Sequence, residues 1–166
     1  PSTTRATTTT TAAPTTTSVV ATPTTAPGAI EVAVHLVRHT TDAATEDFVA
    51  TAEATLTDPR GWQQAGFRFS FSPDAPYTVV LAEPAEVDAT CAPYDVQSTY
   101  SCQIGPVVAL NADRWRGGTS TWTGTSDEYR AMLVNHEVGH LLGQHHPADK
   151  CPTVGAPAPV MAQQSK

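Results

Sequence analysis

Hydrophobic and polar positions follow a readable pattern from Ala29 onward. In EVAVHLV (31–37), Val32, Val34 and Leu36 alternate with Ala33, His35 and Val37, which predicts a largely buried strand. TDAATEDFVATAEATL (41–56) places Phe48, Val49, Ala52 and Leu56 at helical spacing, and Pro59 is expected to stop that helix at Asp58. FRFSF (67–71) alternates phenylalanine with polar residues, and YTVVL (77–81) is expected to be its neighbouring strand. TYSCQI (99–104) and PVVALN (106–111) add two strands around Gly105. After the polar loop RGGTSTWTG, Thr125 and Glu128 form a capping box that starts a helix. Residues 129–142 are apolar nearly all round apart from a few polar positions, so this helix is expected to be buried. The order β-α-β-β-β-β-α implies a mixed α/β domain with the last helix under the sheet.

Residues 1–28 have a different texture: almost entirely Thr, Ala, Pro and Ser, with Arg5 as the one charge and no aromatic residue. Such a segment buries too little apolar surface to offset the entropy of ordering it. It reads as an extended stalk, often glycosylated in exported proteins, or as a plain disordered linker. The 166 residues therefore hold a single domain, 29–166. A net charge of −7 and the lack of any basic cluster exclude a nucleic-acid or anionic-membrane partner. No stretch approaches the ~18 apolar residues of a membrane helix. The chain opens at Pro1 without an initiator Met, so any export signal is expected to have been cut off or to lie outside this sequence. A monomer is expected.

The chemistry is concentrated in NHEVGHLLGQHHP (135–147), which holds four of the six histidines. His136 and His140 stand four apart, so both imidazoles project from one helix face and can chelate one ion. Glu137 sits beside the first ligand, where it can reach a water on the ion without binding the ion. Gly143 falls where the helix must end, since glycine takes the left-handed cap freely. That turn brings a third histidine back to the metal. The pattern H-E-x-x-H-x-x-G-x-x-H assigns this role to His146 and leaves His145 one residue out of register. H-E-x-x-H alone arises by chance in roughly a few chains per thousand of this size; adding Gly143 and His146 lowers this to about one in a hundred thousand. Three histidines with an open fourth position suit catalytic zinc better than structural zinc.

HEVGHLLGQHH resembles the zinc signature of the metzincin clan of metallopeptidases. DPRGW (58–62), LNADRW (110–115), YRAMLVNHEVGH (129–140) and PAPVMAQQ (157–164) are similar to exported actinobacterial metzincin-like domains of unknown substrate. The resemblance spans about residues 29–166. It implies a mostly parallel twisted sheet with a backing helix and an active-site helix, and a small C-terminal lobe carrying a methionine turn. Met161 matches the turn methionine, fifteen residues after His146 and flanked by Pro157 and Pro159. Two departures stand out. Gln163 occupies the place where several metzincins carry a tyrosine; its amide could donate a hydrogen bond to a developing oxyanion. The chain also runs only five residues past Met161, so the lower lobe is expected to be minimal or truncated.

Cys91 and Cys102 flank a ten-residue loop at the edges of strands and are expected to pair, as in an exported protein. Cys151 is left over: a free thiol, one whose partner lies beyond Lys166, or a fourth ligand without motif support. His35 and His39 read as structural or solvated, and Trp62, Trp115 and Trp122 as packing residues. Asp58 and Arg60 read as a locally bonded turn, and Asp149 as a carboxylate able to orient a histidine. The function expected is zinc-dependent hydrolysis of a peptide or protein substrate with Glu137 as general base. Two alternatives stand beside it: a non-catalytic cell-surface module stapled by zinc, and a hydrolase of a non-peptide amide in the cell wall. The expected location is secreted or extracytoplasmic, with the N-terminal stalk able to tether the domain to the cell envelope.

Overall fold

The computed structural model describes residues 28–148 and 155–164. The expected stalk (apart from Gly28), Asp149 and Cys151 lie outside the described residues. The fold is a mixed α/β domain with a five-stranded sheet ordered β2-β1-β3-β5-β4, where β1 is Ile30–Arg38, β2 Phe67–Phe71, β3 Tyr77–Ala82, β4 Cys102–Ile104 and β5 Val107–Asn111. Four strands run parallel; β4 alone is antiparallel and forms one edge.

Alternation decides what each face buries. Val32 and Val34 register with Phe69 and Phe71, Leu36 with Val79, and Val79 and Leu81 with Val108 and Leu110. This face packs against α1 (Phe48–Leu56) and α4 (Ser126–Leu141), through Phe48, Ala52, Leu56, Leu133, Val134 and Val138. The opposite face, with Val80, Ala82 and Ala109, is covered by Val87 and Cys91 of α2 (Pro84–Cys91). A short helix α3 (Ala112–Gly117) follows β5, with its N-terminus capped by the Asn111 side chain. Trp115 of α3 is buried edge-on against Phe48.

Several sequence expectations need correction. β2 and β3 are not neighbours: both pair with β1, which lies between them. β3 starts level with the end of β2, both opposite Val34 of β1, so the short loop 72–76 carries the chain across β1 without the long return that parallel neighbours need. The first helix is shorter than its periodic stretch, because Asp42 caps a separate 3-10 turn at Ala43–Thr45 and the helix closes at Leu56, before Asp58. The strand at 99–104 is confined to Cys102–Ile104. Helices α2 and α3 were not foreseen. No helix among the described residues is long and apolar enough to cross a membrane.

Candidate metal centre and cleft

Helix α4 begins as its sequence dictates. The Thr125 side chain accepts from the Glu128 amide, and the Glu128 carboxylate accepts from the Thr125 amide. This capping box satisfies two of the amides that a helix start leaves open. Sixteen residues later the helix ends in a Schellman turn: Gly143 N–H donates to the His140 carbonyl (2.9 Å) and Gln144 N–H to the Gly139 carbonyl (2.9 Å). Gly143 carries φ +80°, the left-handed conformation this motif requires.

The turn returns the chain onto the helix. Nε2 of His146 lies 3.1 Å from Nε2 of His136 and 3.1 Å from Nε2 of His140. Among the described residues these three histidines form the group able to hold a metal ion, and His145 stays outside that group while lining the same cleft. Two of the rings are oriented from behind. His136 Nδ1–H donates to the Val160 carbonyl at 2.8 Å and His140 Nδ1–H to the Gln144 carbonyl at 2.9 Å. A carbonyl can only accept, so the proton of each neutral ring sits on Nδ1 and Nε2 presents a lone pair inward. Nitrogens held ~2.0–2.1 Å from one tetrahedral ion lie about 3.3 Å apart. The donor set and its spacing therefore fit a small divalent ion such as zinc. Burial holds the His136 pKa below the usual imidazole value, which favours the neutral form a metal needs.

Glu137 points into the same cleft from the next position of α4 and is almost fully buried. Desolvation pushes its carboxyl up to about 8. A cation at the three imidazoles would draw that value back toward the ionised form.

The floor beneath the histidines is built by residues far apart in sequence. Met161 sits in a tight turn closed by Ala162 N–H on the Pro159 carbonyl (2.9 Å), and it is buried. A Cβ placed on Gly139 would lie 2.4 Å from the Met161 sulfur and 2.7 Å from Cζ2 of Trp62. The Trp62 indole N–H in turn donates to the Asn135 carbonyl at 3.1 Å. Gly139 is thus the one residue type that lets the methionine and the tryptophan close under the helix. Sequence reasoning missed this, although a glycine in mid-helix, unfavourable by roughly 1 kcal/mol relative to alanine, was a usable signal.

A cleft of about 520 Å³ runs past the triad between α4 and the edge strand β4. Ser101, Cys102 and Gln103 form one wall, and Gln163 and Gln164 close it near the methionine turn. Cys91 and Cys102 are joined by a disulfide, which ties α2 to this edge strand. Sequence reasoning also missed Tyr94, Tyr100 and Arg114, which line the cleft from the loop before β4 and from α3. Nothing in their local spacing marked them; only the fold brings them to the site. Other expected residues lie away from it. Arg60 and Asp58 do form a local turn, with Arg60 N–H on Asp58 Oδ1 at 2.8 Å. His39 pairs with Glu86 at 2.5 Å, and Trp115 and Trp122 pack against Phe48 and Tyr129.

The fold and site define an α/β domain with a three-histidine group of metal-ligating geometry at the foot of a cleft. Residues 2–166 match a family described as "Protein of unknown function (DUF3152)", and the chain belongs to that family. No curated protein matches the chain.

Proposed function

We propose that the domain is a zinc-dependent peptidase that cleaves peptide bonds with Glu137 as general base. The observation that carries this reading is the convergence of three Nε2 atoms on one point, with the Glu137 carboxyl in the same cleft. A purely structural ion does not need a buried carboxylate beside it that ligates nothing. When bound by His136, His140 and His146, zinc supplies Lewis acidity: it makes a water acidic and takes up charge from the attacked carbonyl oxygen.

The protein residues do the rest. Glu137 removes a proton from the attacking water and returns it to the leaving nitrogen, so one carboxylate serves as base and then as acid. The β4 edge has β5 on one side only, so its free backbone groups can pair with an extended peptide lying in the cleft. Gln163 stands on the cleft wall where its amide can donate to the developing oxyanion. The disulfide supports an oxidising, extracytoplasmic location.

The test compares wild type with Glu137→Gln, both zinc-loaded, for cleavage of a peptide library and for zinc content. The variant is expected to keep zinc and fold and to lose on the order of 10³–10⁴-fold in rate, because the amide can neither take nor return the proton. Equal cleavage by both would refute the mechanism. Absence of cleavage by a folded, zinc-loaded wild type would favour the zinc-stapled surface module.

A further inference from the structure

We propose that Arg114 is a specificity residue that selects a carboxylate on the peptide held in the cleft. The inference rests on the peptidase reading and deepens it by naming the substrate class.

Arg114 lines the same cleft as His136 and Glu137 but comes from a different element, α3. Its guanidinium is fixed in place. Nε–H donates to the Thr99 carbonyl at 2.9 Å, Nη1–H donates to the Gly118 carbonyl at 3.2 Å, and the Tyr100 ring lies 5.7 Å beneath the charge. These contacts use two of the five guanidinium N–H donors, and among the described residues Nη2 makes no hydrogen bond.

Among the described residues the charge has no counter-ion. Arg60, Arg116 and Arg130 each hold a carboxylate, at 2.6 Å, 2.5 Å and 2.9 Å, while Arg38 and Arg68 bond only backbone carbonyls and a hydroxyl and do not line the cleft. Among the described residues no carboxylate reaches Arg114 within ion-pair distance, although the chain carries 16 acidic residues. Glu137, which shares the cleft, is also out of reach.

A brace for the loops at Thr99 and Gly118 would explain the two carbonyl bonds, but it does not use the fork at Nη2. A braced, half-buried guanidinium that lines a cleft and keeps donors unused is a ready receptor for a carboxylate, and the bracing lowers the entropy cost of binding one. The carboxylate is an acidic side chain or a peptide C-terminus; both present the same two oxygens.

The test uses two degenerate peptide libraries that differ only in fixed glutamate or fixed glutamine, each made with a free and an amidated C-terminus. Cleavage by zinc-loaded wild type is read by mass spectrometry. Binding is read separately, by retention on zinc-loaded Glu137→Gln protein with and without Arg114→Gln. Wild type is expected to prefer at least one carboxylate-bearing library on the order of tenfold. The library pair that shows the preference separates side chain from C-terminus. Arg114→Gln is expected to bring the ratio between charged and neutral libraries, read within each variant, toward one, and Arg114→Lys to restore part of it. A purely structural role would lower all libraries alike, and that result would overturn the proposal, as would wild type without charge preference. Charge-dependent retention without any cleavage would leave Arg114 assigned and sink the peptidase reading. Cleavage without charge preference would do the reverse.

Discussion

His145 and His146 are chemically identical neighbours, and one turn of backbone geometry separates their roles. The Schellman turn at Gly143 fixes how the chain re-enters, and with it which imidazole faces His136 and His140. His146→Ala is therefore expected to lose zinc while His145→Ala keeps it, read as metal per chain after dialysis. Retention by the first and loss by the second would invert the register. This part of the site was legible because it is local: eleven residues, one helix face and one capped turn contain all of it. The floor was not, because Gly139 meets Met161 and Trp62 across 22 and 77 positions of sequence. At Gly139 the tryptophan ring is anchored by its bond to Asn135, so an added methyl has little room to be absorbed. Gly139→Ala is expected to destabilise the domain by about 1–3 kcal/mol and to weaken metal retention, since overpacking strains both neighbours. Unchanged urea unfolding would show that the floor yields freely.

Among the elements, the strands and the two longer helices were readable in the sequence, and the short helices α2 and α3 were not. β1 announces itself by alternation and α4 by its capping box and length. α2 exposes most of its surface, and only Val87 and Cys91 are buried along it, too few points to set a period. α3 spans six residues and is held by a cap and one tryptophan. The mistaken pairing of β2 with β3 has a similar origin: adjacency in sequence is a good guide for hairpins, whereas parallel strands choose partners through which faces the crossovers can cover. β4 is the shortest strand, with a single neighbour, yet the proposed peptide pairs with it. Its anchor is the Cys91–Cys102 disulfide, closing a loop of sequence separation 11. By loop-closure entropy this bond contributes about 3 kcal/mol. Reduction with a thiol is expected to lower stability by about that amount and to slow peptide cleavage, but to leave zinc in place, since no ligand lies on β4. Loss of zinc on mild reduction would show that edge strand and metal centre are one cooperative unit.

Across the whole molecule, two charge systems sit at different places and should respond to different pH ranges. In the first, an ion held by His136, His140 and His146 would link α4 to the chain that follows it, and His136 also reaches the Val160 carbonyl beside the methionine turn. Binding to the folded state alone stabilises it by ~2.7 kcal/mol at a free-zinc concentration one hundred times Kd. Zinc binds neutral imidazole, so this increment is present above the ordinary histidine range near pH ~6.5 and fades as pH falls through it. The second system is independent of metal. Arg116 holds Asp42, Glu83 and Asp113 together and so joins the loop after β1, the start of α2 and α3. The hydrogen bond from Arg116 depresses the Asp42 carboxyl from 3.8 to about 2, and Glu83 is lowered by the same partner. A carboxylate depressed in the folded state stabilises above its unfolded pKa, and that contribution is lost as pH falls from about 4 toward 2. Thermal unfolding followed against pH is therefore expected to show two separate falls for the zinc-loaded protein. The upper one disappears with a chelator or with His146→Ala, and the lower one flattens with Arg116→Gln while zinc binding is unaffected. A single fall near pH 4, unchanged by chelator, would mean that the three histidines hold no metal that matters to the fold.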